Sequence, residues 1–147
     1  SAQAARGIWS RVETAAAQRG DVLAAFLAAA DETALRACGL SGPKTKAVLA
    51  VGAAAAAGLF DTFGTLSHAG RAERLAAIWG IGPWTADMMG IFYYREPDIW
   101  PIGDLAVMRV FRSYLGRRRP EPAARRFAPY RSLLALYMWR LVGAELK

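Results

Sequence analysis

Two features of residues 75–104 combine residue types and spacing that suit chemistry on a nucleic acid. Gly80-Ile81-Gly82 separates two apolar helical patterns, and Asp104 follows 22 residues after Gly82 in a tract rich in aromatic side chains. Glycines permit positive φ and close approach of another backbone, and the first turn of the next helix has free N–H groups and a dipole that attract phosphate oxygens. A single carboxylate beside such a phosphate-binding turn can act on a sugar or a base. These residues therefore predict an enzyme that holds a nucleic acid backbone.

The sequence pattern predicts that all the elements that position these residues are helices. No stretch keeps the period-two alternation of a half-buried strand for long, which predicts an all-α helical bundle. Asp21, Asp31 and Asp104 are typical N-cap residues, and the loop over 95–103 holds two prolines. We predict helices over about 2–18, 22–29, 32–38, 44–57, 71–79, 83–93, 105–115, 121–127 and 129–143.

The composition narrows the class of protein. The length suits a single domain over residues 1–147, and no apolar run approaches the roughly 18 residues that span a bilayer, so we expect a soluble, cytoplasmic protein. The lone cysteine, Cys38, excludes an intramolecular disulfide and a cysteine-held zinc or iron–sulfur cluster. A net charge of +7 favours a polyanionic partner.

Four segments resemble a known family. Residues 75–86 (LAAIWGIGPWTA) and 103–110 (GDLAVMRV) are similar to the helix-hairpin-helix DNA glycosylase superfamily, whose hallmark is this hairpin followed by a Gly/Pro-rich loop and an aspartate. Residues 39–44 (GLSGPK) and 129–139 (PYRSLLALYMW) resemble its 3-methyladenine DNA glycosylase II branch, the alkylpurine type. The resemblance implies a monofunctional enzyme of base excision repair that hydrolyses the N-glycosidic bond of an alkylated purine and leaves an abasic site.

The resemblance also implies roles for individual residues. Asp104 matches the catalytic aspartate, and Trp139 matches an aromatic residue that lines the base pocket. Trp84 stands where relatives with lyase activity have a nucleophilic lysine, so no Schiff base can form and no lyase activity is expected. The family's helix that precedes Ala4, and with it the residue that wedges into the duplex, is expected to be absent from this chain.

The expected partner is double-stranded DNA with a damaged base, which is flipped out of the stack and whose cationic ring stacks on aromatic side chains. The aromatic candidates for the base pocket are Trp84, Trp139, Tyr93, Phe92 and Trp100. For Phe92 and Tyr93, core packing is an equal alternative, whereas Trp9 and Trp79 lie in helical stripes that predict core positions. The residues expected to bind DNA are Gly80, Gly82, Pro83, Trp84, Thr85, Lys44, Lys46 and Arg109.

Several alternatives stay open. The backbone carbonyls of Ile78 and Gly80 are candidates for a structural Na⁺ or K⁺, and no other cofactor is expected. From spacing alone Asp104 is also a plain helix N-cap, and the Gly-Ile-Gly turn also fits an ordinary corner between helices. The alternative function is a non-catalytic module that binds damaged DNA through the same hairpin. We expect a monomer that is associated with the bacterial nucleoid and not with a membrane.

The remaining charged residues have simpler interpretations. The basic run over 117–119 is a candidate backbone clamp, although most such runs are only solvated. Asp98 is expected to be structural, and Asp87 is expected on the solvated side of its helix. His68 is expected to be structural and alone in a polar turn.

Overall fold

The protein is helical throughout the part that the structure describes. This computed structural model describes residues 2–142 and contains no strand among them, which confirms the all-α prediction. The α-helices are α1 Ala2–Gln18, α2 Leu23–Ala29, α3 Glu32–Ala37, α4 Gly42–Ala56, α5 His68–Ala76, α6 Pro83–Phe92, α7 Leu105–Leu115, α8 Pro120–Ala124 and α9 Arg131–Leu141. Short 3₁₀ turns lie at Phe63–Thr65 and Arg125–Phe127. The predicted end of the last helix at Gly143 lies outside the described residues.

The chain divides into two compact units. Among residues 2–142, the first contains 2–66 together with 73–81, and the second contains 67–72 together with 82–142. One boundary therefore falls inside α5, and another falls between Ile81 and Gly82. The single-domain assignment to residues 1–147 stays a prediction.

The first unit has its core between α1, α2, α3 and α4. Val12, Phe26 and Leu35 are almost completely buried there. A Cβ at Gly52 on α4 would lie only 2.5 Å from the carbonyl oxygen of Leu27 on α2. Only glycine lets the backbones of these two helices approach this closely.

The two N-caps predicted in the first unit differ in outcome. The Asp31 side chain accepts a hydrogen bond from the Ala34 N–H at 2.7 Å, so the predicted cap of α3 is confirmed. The predicted cap by Asp21 is wrong: α2 begins after Val22 without a side-chain cap. The Asp21 carboxylate instead lies 3.0 Å from Arg19 Nε, a charged partner that competes with the helix N–H groups.

Two tryptophans predicted in the core are exposed. Trp9 is 44% exposed on α1, and Trp79 is 46% exposed after α5. Trp9 lies at the edge of an apolar stripe that is wider than the face that α1 buries. The predicted helix over 71–79 ends at Ala76, so Trp79 lies in the turn after α5 and not on a helix face. In the described residues, no helix is both long enough and apolar enough to cross a membrane.

The second unit has its core between α7 and α9. Val107, Phe111 and Ala135 are completely buried there, and Met138 is nearly so. The loop between α6 and α7 is attached to the first turn of α9 by backbone and side-chain hydrogen bonds, described below. The core and this attachment fix α9 relative to the helix that Asp104 begins.

The first turns of α5 also belong to the second unit, and they correct two predictions. His68 is not alone: its Nε2 lies 3.0 Å from Asp87 Oδ1 on α6. Asp87 is half-buried and not solvated, and this burial raises its pKa by more than the bond to His68 lowers it. One turn later, the buried Arg71 forms an ion pair with Glu96, and its guanidinium lies 3.8 Å from the centre of the Tyr94 ring. These contacts join the first turns of α5 to α6 and to the loop after it.

Candidate active site

Asp104 lies at the N-terminus of α7 and is 7% exposed. Its Oδ1 accepts hydrogen bonds from the Val107 N–H at 2.8 Å and from the Trp139 indole N–H at 3.1 Å. Its Oδ2 accepts a hydrogen bond from the Trp84 indole N–H at 2.9 Å. Asp104 is therefore the N-cap that the sequence predicts, and it is also held by two indoles from other helices.

The pKa of Asp104 reflects two opposed effects. Burial raises it, since a carboxylate loses hydration in the protein. Hydrogen bonds from the Trp84 indole, the Val107 N–H, the Trp139 indole and the Ala106 N–H lower it, and together they outweigh burial. The net pKa lies below the ordinary aspartate value, so the group is an ionised carboxylate at neutral pH.

The carboxylate lies in a cleft that opens to solvent. The cleft has a volume of about 320 Å³ and is lined by Trp84, Gly103, Asp104, Leu105 and Ala106. Trp84 is half-exposed, and Leu105 is 85% exposed. A negative charge within reach of solvent, between an indole and an aliphatic side chain, can stabilise a cation bound in the cleft.

Two of the predicted base-pocket aromatics contact each other next to this carboxylate. Trp139 on α9 donates its indole N–H to Asp104, and its ring packs against Phe92 at 5.5 Å between centroids. Phe92 is 59% exposed, so its ring is available to a ligand and is not in the core.

The other two predicted base-pocket aromatics have different neighbours. The Tyr93 ring, exposed to solvent, packs edge-on against Tyr94 at 5.0 Å. Trp100 packs edge-on against Phe111 at 6.0 Å, at the border of the α7–α9 core. The contacts described in the structure connect neither of them to Asp104, and their place in a base pocket stays a prediction.

The loop that leads to Asp104 is held by the first turn of α9. The Ser132 hydroxyl donates to the Glu96 carbonyl at 2.6 Å and accepts from the Ile99 N–H at 2.9 Å. Arg131 binds the Asp98 carboxylate with two donors, Nε to Oδ1 at 2.6 Å and Nη2 to Oδ2 at 2.8 Å. This pair lowers the pKa of Asp98, which fits the structural role expected for that residue. Because α9 also carries Trp139, one helix positions both the loop and the carboxylate.

The first half of the predicted hairpin is part of the first unit. Gly80 has a φ of +82°, and a Cβ there would lie 2.7 Å from the Ala47 side chain on α4, so only glycine fits. The Lys46 ammonium lies 4.2 Å from the centre of the Trp79 ring. The Ile78 carbonyl accepts a hydrogen bond from the Ile81 N–H at 3.1 Å.

The second half of the hairpin is part of the second unit. Gly82 precedes α6 without a side-chain cap, and Pro83 lies in the first turn. The Thr85 N–H donates to the Gly82 carbonyl at 3.0 Å. The absence of a capping side chain suits a helix N-terminus that receives an external anion. The binding of DNA at this turn stays a prediction.

The three predicted DNA-binding cations lie on helix surfaces. Lys44 and Lys46 are exposed in the first turns of α4, and Arg109 is exposed on α7. Their exposure is compatible with binding to phosphates, which stays a prediction.

Sequence reasoning missed the residues that hold the site together. Ser132 and Arg131 are separated from their loop partners by more than 30 residues, and His68 is 19 residues from Asp87. The available signal was a serine directly before the apolar run over 133–136, since a polar residue that is buried beside such a run needs a partner.

Comparison with known proteins identifies relatives of one kind. No family model matches the chain. Over 117 residues it is 33% identical to DNA-3-methyladenine glycosylase 1 of Schizosaccharomyces pombe, an alignment that includes 72% of this chain and 50% of that protein. The chain thus spans about half the length of this relative.

Two solved structures are similar along most of the chain. The 3-methyladenine DNA glycosylase Mag1 of S. pombe, in complex with abasic DNA, has a TM-score of 0.78 and 27% identity, and the match covers 92% of this chain and 70% of that one. The DNA-3-methyladenine glycosidase of Bacillus halodurans has a TM-score of 0.79 and 28% identity, and the match covers 97% of this chain and 69% of that one. With the helical fold and the capped aspartate after a Gly-Ile-Gly turn, these similarities identify the chain as a member of the helix-hairpin-helix DNA glycosylase superfamily, in its 3-methyladenine DNA glycosylase branch.

Proposed function

We propose that this chain is a monofunctional DNA glycosylase that hydrolyses the N-glycosidic bond of alkylated purines in double-stranded DNA and leaves an abasic site. The observation that carries the proposal is the ionised Asp104 carboxylate, which is held by two indole N–H groups at the mouth of a cleft. The S. pombe and B. halodurans relatives are named for action on 3-methyladenine, and this supports the same substrate class here.

Asp104 acts in this proposal by stabilising charge. Breaking an N-glycosidic bond develops positive charge on the deoxyribose, and a fixed carboxylate near C1′ lowers the free energy of that state. Its lowered pKa makes Asp104 a weak base. A weak base abstracts a proton from water poorly, so we assign Asp104 to electrostatic stabilisation and to orienting the attacking water.

The proposed leaving group needs no separate acid. A purine alkylated at N3 or N7 is cationic and departs as a neutral base. Trp139 and Phe92, which contact each other beside Asp104, supply aromatic surface for such a ring. A cationic base over an aromatic face gains about 0.5–2 kcal/mol.

The proposed reaction stops at the abasic site. A lyase step needs an amine that forms a Schiff base with C1′ of the sugar. By the family resemblance, Trp84 stands where relatives with lyase activity have a nucleophilic lysine, and its indole N–H donates a hydrogen bond to Asp104. An indole cannot form that imine, so we expect no strand cleavage.

In the proposal, DNA is held by backbone groups of the hairpin and the adjacent helix turn. Gly80, Gly82 and Thr85 contribute main-chain groups, and Lys44, Lys46 and Arg109 contribute charge. A Na⁺ or K⁺ at the carbonyls of Ile78 and Gly80 is a further part of the proposal. The Ile78 carbonyl already accepts one hydrogen bond and has a second lone pair for a cation. The chain is proposed to act as a monomer in the bacterial nucleoid.

The experiment is base release from duplex DNA treated with a simple methylating agent. Mass analysis of the supernatant is expected to identify 3-methyladenine, with an equal number of abasic sites in the DNA. Strands should stay intact until heated in alkali, and borohydride should trap no covalent adduct.

The outcomes separate the parts of the proposal. A trapped adduct or direct strand cleavage would contradict the monofunctional assignment. Salt-dependent DNA binding without release of any methylated base would favour the non-catalytic binding module instead.

A further inference from the structure

We infer that the end of α7 opposite to Asp104 carries a second DNA-backbone surface, formed by arginines between residues 112 and 126. This inference extends the proposed function, because it adds DNA binding outside the site of the damaged base. Residues 112–126 contain six arginines and one glutamate, a net charge of +5 in a chain whose total is +7. The arginines are Arg112, Arg117, Arg118, Arg119, Arg125 and Arg126, and we call them the arginine cluster.

The charge of the arginine cluster is presented to solvent. All six arginines are exposed. None of the ion pairs in the described part of the chain involves them. A solvated positive charge of this density favours the binding of a polyanion, because each phosphate that arginine binds releases condensed counterions.

The backbone brings the two halves of the cluster together. Arg118 and Arg119 follow α7, and Arg126 lies in the 3₁₀ turn after α8. All three line one cavity of about 430 Å³, whose other walls include Leu115 and Phe127. Guanidinium groups at one concave surface can bind phosphate oxygens with two donors each, which favours a phosphodiester backbone as the partner.

The arginine cluster begins near the end of α7 that lies away from Asp104, and two of its members, Arg119 and Arg125, also line a cavity with Ile102 of the loop before Asp104. Asp104 caps the first turn of α7, and Leu115 ends the helix 11 residues later. At 1.5 Å per residue, the two ends are about 16 Å apart. This distance is roughly five base-pair steps of a duplex. Arg117 and Arg118, which follow the far end of α7, are therefore placed to bind backbone away from the reacting nucleotide, on the flank of the same duplex or on a second duplex.

The test compares two variants with equal net charge. The first is Arg118→Gln, Arg119→Gln and Arg126→Gln. The control is Arg6→Gln, Arg36→Gln and Arg140→Gln, three exposed arginines outside the cluster. Binding to undamaged duplexes of 12 and 40 base pairs is measured between 50 and 200 mM salt, about the range over which electrostatic binding to phosphates weakens. Since undamaged DNA needs no turnover, the result does not depend on base release, and base release from methylated DNA is scored separately.

The cluster variant is expected to bind the 40-base-pair duplex at least about tenfold more weakly than the control. For the cluster variant, the slope of log affinity against log salt concentration should be shallower by about 2–3, which is one for each phosphate that is no longer bound. Equal affinity and equal slope for the two variants would overturn the inference. Displacement of DNA by poly-glutamate of matched charge, as efficient as by unlabelled duplex, would assign the surface to an acidic protein and would also overturn it.

Two further measurements distinguish whether the arginine cluster binds the flank of the same duplex or a second duplex. If the cluster binds the flank of the same duplex, the difference in affinity between the two variants is larger for the 40-base-pair duplex than for the 12-base-pair duplex, and the complex stays 1:1. If a second segment is bound, one protein molecule brings two differently labelled duplexes together, and the cluster variant does not.

Discussion

Ser132→Ala tests how firmly α9 holds the loop that precedes Asp104. The hydroxyl of this buried serine accepts a hydrogen bond from the Ile99 N–H at 2.9 Å and donates one to the Glu96 carbonyl at 2.6 Å. Without it, the Ile99 N–H loses its partner inside the protein, which costs about 1–3 kcal/mol. Loss of the hydrogen bond to the half-buried Glu96 carbonyl costs about 1 kcal/mol more. The better helix propensity of alanine offsets about 0.5 kcal/mol of this loss.

The net loss in the free energy of unfolding is about 1.5–3.5 kcal/mol, which corresponds to a decrease in Tm of roughly 4–14 °C for a chain of this length. Thermal and urea unfolding followed by circular dichroism measure it. The matched control is Ser10→Ala on the exposed surface of α1, for which we expect a change within about 0.5 kcal/mol. If the two variants melt within about 1 °C of each other, the loop is not held by this hydroxyl and the reasoning fails.

Three further changes test other interactions. Trp84→Phe removes an indole N–H donor from Asp104, so the pKa of the carboxyl rises and the acid limb of base release should move to higher pH; an unmoved limb would contradict the role of this bond. The lowered pKa of Asp98 means that its pair with Arg131 stabilises the fold above the ordinary aspartate range, and that this stability is lost as pH falls through the lowered value. Asp98→Asn should remove this pH dependence from acid unfolding curves, and a curve identical to wild type would count against it. Gly52→Ala places a methyl group 2.5 Å from a backbone oxygen of α2, so we expect a loss of at least about 2 kcal/mol in urea unfolding, against little change for Ala53→Gly beyond helix propensity.

Features set by neighbours in sequence were predictable. Asp31 caps α3, Pro83 begins α6, and Asp104 caps α7, because each depends only on a side chain or ring and the N–H groups that follow it. The Asp21 cap failed because Arg19, two residues earlier, offered its carboxylate a charged partner. A preference for capping is a few tenths to about 2 kcal/mol, which a competing interaction can offset.

Features set by tertiary packing were not predictable. The aspartate itself stood out from the sequence and the family resemblance, but its two indole bonds depend on where α6 and α9 end up around α7. The same holds for Ser132 and Arg131, whose partners lie more than 30 residues away. Helical periodicity shows which side of a helix is apolar and not which helix covers it, and for that reason the exposure of Trp9 was also missed.

In the proposed mechanism, the ionised Asp104 carboxylate stabilises the cationic transition state of base release. The most direct test is the single-turnover rate of 3-methyladenine release by Asp104→Asn under conditions in which all the DNA is bound. Asparagine keeps the size and the capping oxygen of aspartate, so the fold and DNA affinity should be retained while the negative charge is removed. We expect a rate at least about a hundredfold lower, which corresponds to a loss of about 2.7 kcal/mol of transition-state stabilisation, with DNA affinity within about twofold of wild type. A rate within about threefold of wild type at equal binding would contradict it.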